Sequence, residues 1–177
     1  QRARVEVDVD RPSSFRGSTS DSASTRQMFY DGTQFVIWDR SADTYATVPA
    51  PKTIDKVIDQ MDEKWGVHPP LADLLVSDPY RSLTGGDGSA KLAGTERVGG
   101  VSCHHVSVVQ PILDWDIWIG ECDSLPRKFV ITLKDRPGSP QIAGTFSDWK
   151  LDAMFPPGHF EPRVGKNSTK IEMIPME

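Results

Sequence analysis

A chain of 177 residues with 37% hydrophobic and 25% charged side chains has ordinary globular composition and enough length to bury one core. Its net charge of −5 comes with scattered basic residues and no basic stripe, which argues against nucleic acid or an anionic membrane surface as partner. No run approaches the roughly 18 apolar residues of a membrane-spanning helix, and Cys103 and Cys122 are too sparse to define a disulfide framework.

The chain opens with Gln1 directly in strand-like sequence and shows no signal segment, so it reads as a processed or trimmed product. Val5, Val7 and Val9 alternate with Glu6, Asp8 and Asp10, the period of a strand with one apolar face. Arg11-Pro12 ends it. Residues 13–25 carry six serines, two threonines and Phe15, so this segment is either a polar strand or a mobile loop. Asp31-Gly32 separates Met28-Phe29-Tyr30 from Phe35-Val36-Ile37-Trp38, a hairpin whose turn residues both tolerate positive φ. Residues 43–48 form another strand.

Thr53 is placed to cap a helix running to Trp65. Ile54, Val57, Ile58, Met61 and Trp65 share one face, charged residues fill the other, and Gly66 follows as the terminator. Leu71, Leu74 and Leu75 predict a short helix over 70–76, ended near Asp78-Pro79. After a loop at Gly85, Gly86 and Gly88, the sequence predicts consecutive strands at 91–96, 97–110, 115–121, 128–134 and 141–151, with a last edge strand at 170–173. Strands in runs with two inserted helices and short connections indicate an α+β fold with antiparallel neighbours in one domain.

Motifs for chemistry are sparse. Cys103 and His105 share a strand face while His104 points away, giving two of the three or four ligands a zinc site requires. Asp114 and Asp116 also share a face, but follow a turn where solvated acidic residues are common. No G-x-S-x-G elbow is present, and the Gly85–Gly88 loop lacks the Lys-Ser/Thr pair of a phosphate loop. No enzymatic activity, metal or cofactor is therefore expected. A hairpin turning through 110–113 sets Cys103 nearly opposite Gly120 with Cys122 as its diagonal neighbour. The two thiols are then either small buried hydrophobes or, with a small bulge, a disulfide in an oxidising compartment. Trp115, Ile117 and Ile119 fill one strand face and Trp118 the other. Such an aromatic-rich sheet with a helix over it can make an apolar cleft.

Several segments resemble a bacterial family of predicted periplasmic proteins of unknown function. They include Arg11-Pro12, Tyr30-Asp31-Gly32, Tyr45-Ala46, Pro49-Ala50-Pro51, Pro70 to Leu75 and Asp78-Pro79-Tyr80. They continue with Gly100 to His105, Asp114 to Ile119, Leu125 to Lys128 and Phe146 to Trp149. That family is similar in turn to the lipoprotein carriers LolA and LolB. This resemblance implies a strongly curved antiparallel sheet, an incomplete barrel, with helices covering its concave side and acyl chains held between them. It also implies an N-terminal helix preceding Gln1. Its expected function is a non-catalytic periplasmic carrier or sensor for a lipid or lipoprotein acyl chain. The alternative is a structural or interaction module of the cell envelope, with a protein partner and no ligand cavity. The candidate apolar cleft comprises Ile54, Val57, Ile58, Met61 and Trp65 on the helix, Leu71 and Leu74 after it, and Trp115, Ile117, Trp118 and Phe129 on the strands.

Overall fold

The computed structural model describes residues 3–67, 71–84 and 89–176. The chain divides into two compact units, one of residues 1–77 with 155–177 and one of residues 78–154. The fold is mainly β. Its strands form a six-stranded and a five-stranded sheet, one in each unit, and neither is a closed barrel.

The first unit begins with β1 (Arg4–Asp10) and β2 (Ser14–Ser20), followed by β3 (Thr25–Tyr30), β4 (Gln34–Asp39) and β5 (Thr44–Pro49), all antiparallel neighbours. The serine-rich segment thus forms a strand over its first half, Ser14–Ser20. Phe15 supplies a buried apolar contact there, and Ser14, Ser18 and Ser20 occupy ladder positions. At the β3–β4 hairpin Gly32 takes a φ of 85°, while Asp31 acts through its carboxylate, accepting the N–H groups of Thr33 (2.9 Å) and Gln34 (3.0 Å). Burial pushes the Asp31 carboxyl up, but the hydrogen bonds from Thr33 and Gln34 outweigh this and hold it below the usual carboxylate range.

The register aligns Val9, Phe15, Tyr30, Phe35 and Val48 in one row across all five strands. Helix α1 (Ile54–Trp65) lies on this row, and Ile54, Val57, Ile58 and Met61 join Phe15, Tyr30, Phe35 and Ala72 in the core. As its sequence predicts, α1 is capped by Thr53, whose hydroxyl accepts the Lys56 N–H (3.4 Å), and ends at Gly66 in the left-handed conformation. Tyr30 is fully buried, and its hydroxyl donates to the carbonyl of Pro51 at 2.5 Å, tying the sheet to the segment that leads into the helix.

The expected helix over 70–76 is a single 3-10 turn at Ala72–Leu74, entered by Leu71 at a φ of 69°. Arg11 donates to the carbonyls of Leu74 (3.1 Å) and Val76 (3.0 Å), and Asp55 accepts from the N–H (2.9 Å) and hydroxyl of Ser77. These side chains fix the segment where no further helical turn exists. Pro70 and the expected glycine loop at 85–88 lie outside the described residues.

Phe29 and Val36 point to the opposite face of the first sheet, yet both are buried. A C-terminal strap crosses that face. His159 binds Asp8 on β1, Gly165 lies beside Trp38 of β4, and Ser168 bonds Asp43 before β5. The strap then adds β11 (Thr169–Lys170) parallel to β5, shorter than expected and the one parallel pairing among the described strands. Past the sheet edge it reaches the end of α1, where Met173 accepts from the Trp65 indole (3.4 Å) and Met176 donates to Lys64 (2.9 Å).

The second unit starts with α2 (Pro79–Thr84), capped by the Asp78 carboxylate on the Arg81 N–H (3.0 Å). Strands β6 (Ser89–Val98), β7 (Val101–Val109), β8 (Leu113–Gly120), β9 (Pro126–Leu133) and β10 (Gln141–Thr145) follow in a meander. The expected break between residues 96 and 97 moves to Gly99-Gly100. These residues take φ values of 56° and 84° and join Val98 to Val101 in a two-residue turn that requires positive φ at both positions. β10 ends at Thr145, short of the expected residue 151.

Burial, with a smaller effect from the Asp31 charge, pushes the Tyr30 phenol up to about 12. Its ordinary value is about 10, so the fold favours the neutral form. The stability this contributes is complete below about pH 10 and is lost as pH rises from there towards 12. Urea unfolding across this range should show the loss. Tyr30→Phe should remove that alkaline component and, by leaving the Pro51 carbonyl unpaired, cost about 1–2 kcal/mol at neutral pH.

Candidate functional site

The second sheet presents two faces of opposite character. Its register sets Leu92, Val106, Ile117, Phe129 and Gly144 in one row across β6 to β10, and Ala90, Val108, Trp115, Ile131 and Ile142 in the next. Every member is apolar. The central residues Val108, Trp115, Ile117, Phe129 and Ile131 are buried, whereas Leu92 and Ile142 on the two edge strands are 66% and 43% exposed. The Trp115 and Phe129 rings lie 6.4 Å apart, and Phe129 meets Phe146 at 5.5 Å. A Cβ at Gly144 would stand 2.5 Å from the Phe129 ring, so glycine lets that ring lie over β10.

The other face is polar and built around His105. Its Nε2 lies 2.8 Å from Asp116 and its Nδ1 3.4 Å from Glu96. The imidazole stacks on Trp118 at 4.2 Å. Trp118 donates its indole N–H to Glu96 (3.0 Å) and carries the Lys128 ammonium 4.0 Å above its ring. Asp114 is engaged elsewhere, with Lys134 (2.7 Å) and the Gln110 N–H (3.3 Å), so Asp114 and Asp116 do not form a carboxylate pair. Cys103 is fully buried and donates its thiol to the Val101 carbonyl (3.4 Å). Among the described residues no group of three or more His, Cys, Asp or Glu side chains is placed to hold a metal.

Of the residues singled out by sequence, Trp115, Ile117 and Phe129 meet on the apolar face, while Trp118 belongs to the polar one. Ile54, Val57, Ile58 and Met61 are taken up in the first unit's own core, with Trp65 half-buried at its margin. Leu71 and Leu74 are half-buried in the 3-10 segment. Sequence reasoning missed Leu92, Val106, Val108, Ile131 and Ile142. Alternation in β7 and β9 signalled three of these, whereas Leu92 and Ile142 emerge only from cross-strand register.

Cys103 does stand opposite Gly120, but β8 ends there and Cys122 falls in the exposed turn that follows. The Cys103–Cys122 disulfide is not formed, and both thiols are free in this structure. Titration with a thiol reagent should therefore modify one cysteine, Cys122, in the native protein and the second only on unfolding. Two fast-reacting thiols, or none, would contradict this placement.

A family described as "Predicted periplasmic protein (DUF2092)" matches residues 2–174. No curated protein matches the chain. Among solved structures, the chain is similar to an uncharacterized conserved protein from Thermus thermophilus, with a TM-score of 0.53 at 11% identity, over 96% of this chain and 80% of that one. That likeness concerns the fold alone.

Proposed function

Since the chain belongs to the DUF2092 family of predicted periplasmic proteins, we propose that it is a non-catalytic binding protein for an apolar ligand, a lipid or the acyl chain of a lipoprotein, acting as carrier or sensor. The observation that carries this proposal is the pair of apolar rows on the second sheet, each crossing all five strands, with exposed Leu92 and Ile142 at opposite edges. An apolar molecule meeting either exposed edge would extend the burial of the row centres, where Val108, Trp115, Ile117, Phe129 and Ile131 are already buried. Each methylene such a molecule buries contributes about 0.8 kcal/mol. The resemblance to the LolA and LolB carriers supports the same ligand class.

A second proposal is a structural or interaction module of the envelope with no ligand cavity. It is favoured by the filled space beneath α1, where Tyr30, Phe35, Ile54 and Val57 are at most 1% exposed. Solvent extraction of the purified protein followed by mass spectrometry separates the two, together with titration of a fluorescent fatty-acid probe. Carriage of lipid predicts co-purifying lipid or saturable probe binding. Leu92→Asp and Ile142→Asp, both at exposed positions, should weaken the probe at least tenfold without lowering the melting temperature. Neither lipid nor probe binding would leave the module proposal standing.

A further inference from the structure

β1 is the end strand of the six-stranded sheet and, among the described residues, pairs only with β2. Its register is continuous from Arg4 opposite Ser20 to Asp10 opposite Ser14, with no bulge, and it contains neither proline nor lysine. Edge strands are commonly guarded by such features. Every second residue of β1 directs its N–H and C=O away from β2. On its apolar face Val9 packs against the core, while Val5 and Val7 are 50% and 45% exposed.

The charges on this strand are mostly of one sign. Glu6, Asp8 and Asp10 share the face opposite the valines, with Arg4 at the start paired to Glu6 (2.8 Å). Two copies of β1 paired antiparallel about Val7 would set Glu6 against Asp8 twice and Arg4 against Asp10 twice, so the like-charge and opposite-charge pairs offset one another. With three acidic residues to one basic on this face, the edge is complementary to a strand carrying basic side chains.

A recess of about 300 Å³ opens beside Asp10, lined also by Asp31 of the β3–β4 turn and by Phe155, Phe160 and Glu161 of the strap. His159 braces its wall. It binds Asp8 at 2.8 Å, stacks on Phe155 at 4.6 Å and meets Phe160 edge-on at 4.9 Å. Asp10, Asp31 and Glu161 line one opening with two phenyl rings, and although the Asp31 carboxylate is bonded to Thr33 and Gln34 its charge adds to that of the other two, which suits a lysine or arginine side chain through charge-assisted hydrogen bonds and cation–π attraction. An open strand edge with a pocket beside it is the arrangement by which strand addition obtains affinity from the main chain and specificity from alternate side chains.

We propose that the open edge of β1 binds an extended segment of a partner protein as an added strand, with a basic side chain of that segment seated between Asp10, Asp31 and Glu161. This site lies on the first sheet and does not depend on a lipid ligand.

The full chain would be titrated with three end-blocked synthetic peptides of β1's length. One alternates valine and lysine, the second replaces each lysine by glutamate, and the third is the lysine peptide with alternate backbone nitrogens methylated. Fluorescence anisotropy should show the lysine peptide binding at least tenfold tighter than either of the others. Its amide shift changes should fall on Arg4–Asp10 and the recess. Asp10→Lys and Glu161→Lys lie at exposed positions and should each weaken it at least fivefold with unchanged melting temperature. Equal binding of the lysine and glutamate peptides would overturn the proposal. So would indifference to N-methylation, or shift changes confined to other strands. Sedimentation showing self-association abolished by the same two variants would assign the edge to a second copy instead. The peptide comparisons on the unaltered chain decide the matter even if a variant fails to fold.

Discussion

The buried row Val9–Phe15–Tyr30–Phe35–Val48 is the constraint on which the first unit depends. It takes one apolar residue from each of five consecutive strands, so a register slip in any strand would send that residue to the other face. The α1 stripe has its apolar partner only where this row is intact. Tyr30 connects the two levels, since its ring is part of the row and its hydroxyl holds Pro51. A phenylalanine could fill the volume but could not satisfy that carbonyl, so the position asks for an aromatic ring with a polar end.

The same sheet is covered on its reverse side by its own chain. Phe29 and Val36 are buried on that side, and the strap meets the sheet at Asp8, Trp38 and Asp43 before returning to the end of α1. The strap has little regular structure, only the two residues of β11. Side-chain and terminal-backbone bonds hold it instead, made to groups that the strands and helix leave available.

Helix α1 was legible in sequence because cap, stripe and terminator agree locally: Thr53, the four buried apolar residues and Gly66 all point to the same boundaries. The β3–β4 hairpin was legible for a similar reason, although Asp31 contributes a carboxylate acceptor and not a positive φ. The short helix expected at 70–76 fails because its leucines are too few to propagate a helix against the cost of nucleation, and long-range bonds from Arg11 and Asp55 shape the segment. The β6–β7 boundary was expected at residues 96 and 97, short of Gly99-Gly100, because Val98 and Val101 read as parts of one strand over 97–110. On the candidate apolar face, Trp115, Ile117 and Phe129 could be found from single-strand alternation. Leu92 and Ile142 could not, because what distinguishes them is their place at the ends of rows, a property of pairing between strands.

The two units differ in where their own packing stops. In the first, α1 and the strap take up the two faces of the sheet, and what stays open is an edge with its acidic row and neighbouring recess. In the second, the apolar rows continue past their buried centre onto edge strands that leave Leu92 and Ile142 in water. Exposed apolar side chains are common on any protein surface, so neither residue alone carries weight. Their placement at the ends of apolar rows with buried centres is different, because an apolar molecule meeting those ends extends burial that the protein has already begun. The polar face of that sheet has no such opening: His105, Trp118, Glu96, Asp116 and Lys128 are arranged as one another's partners. Binding capacity is thus sought where self-complementarity ends, at the apolar row ends of one sheet and the open edge of the other.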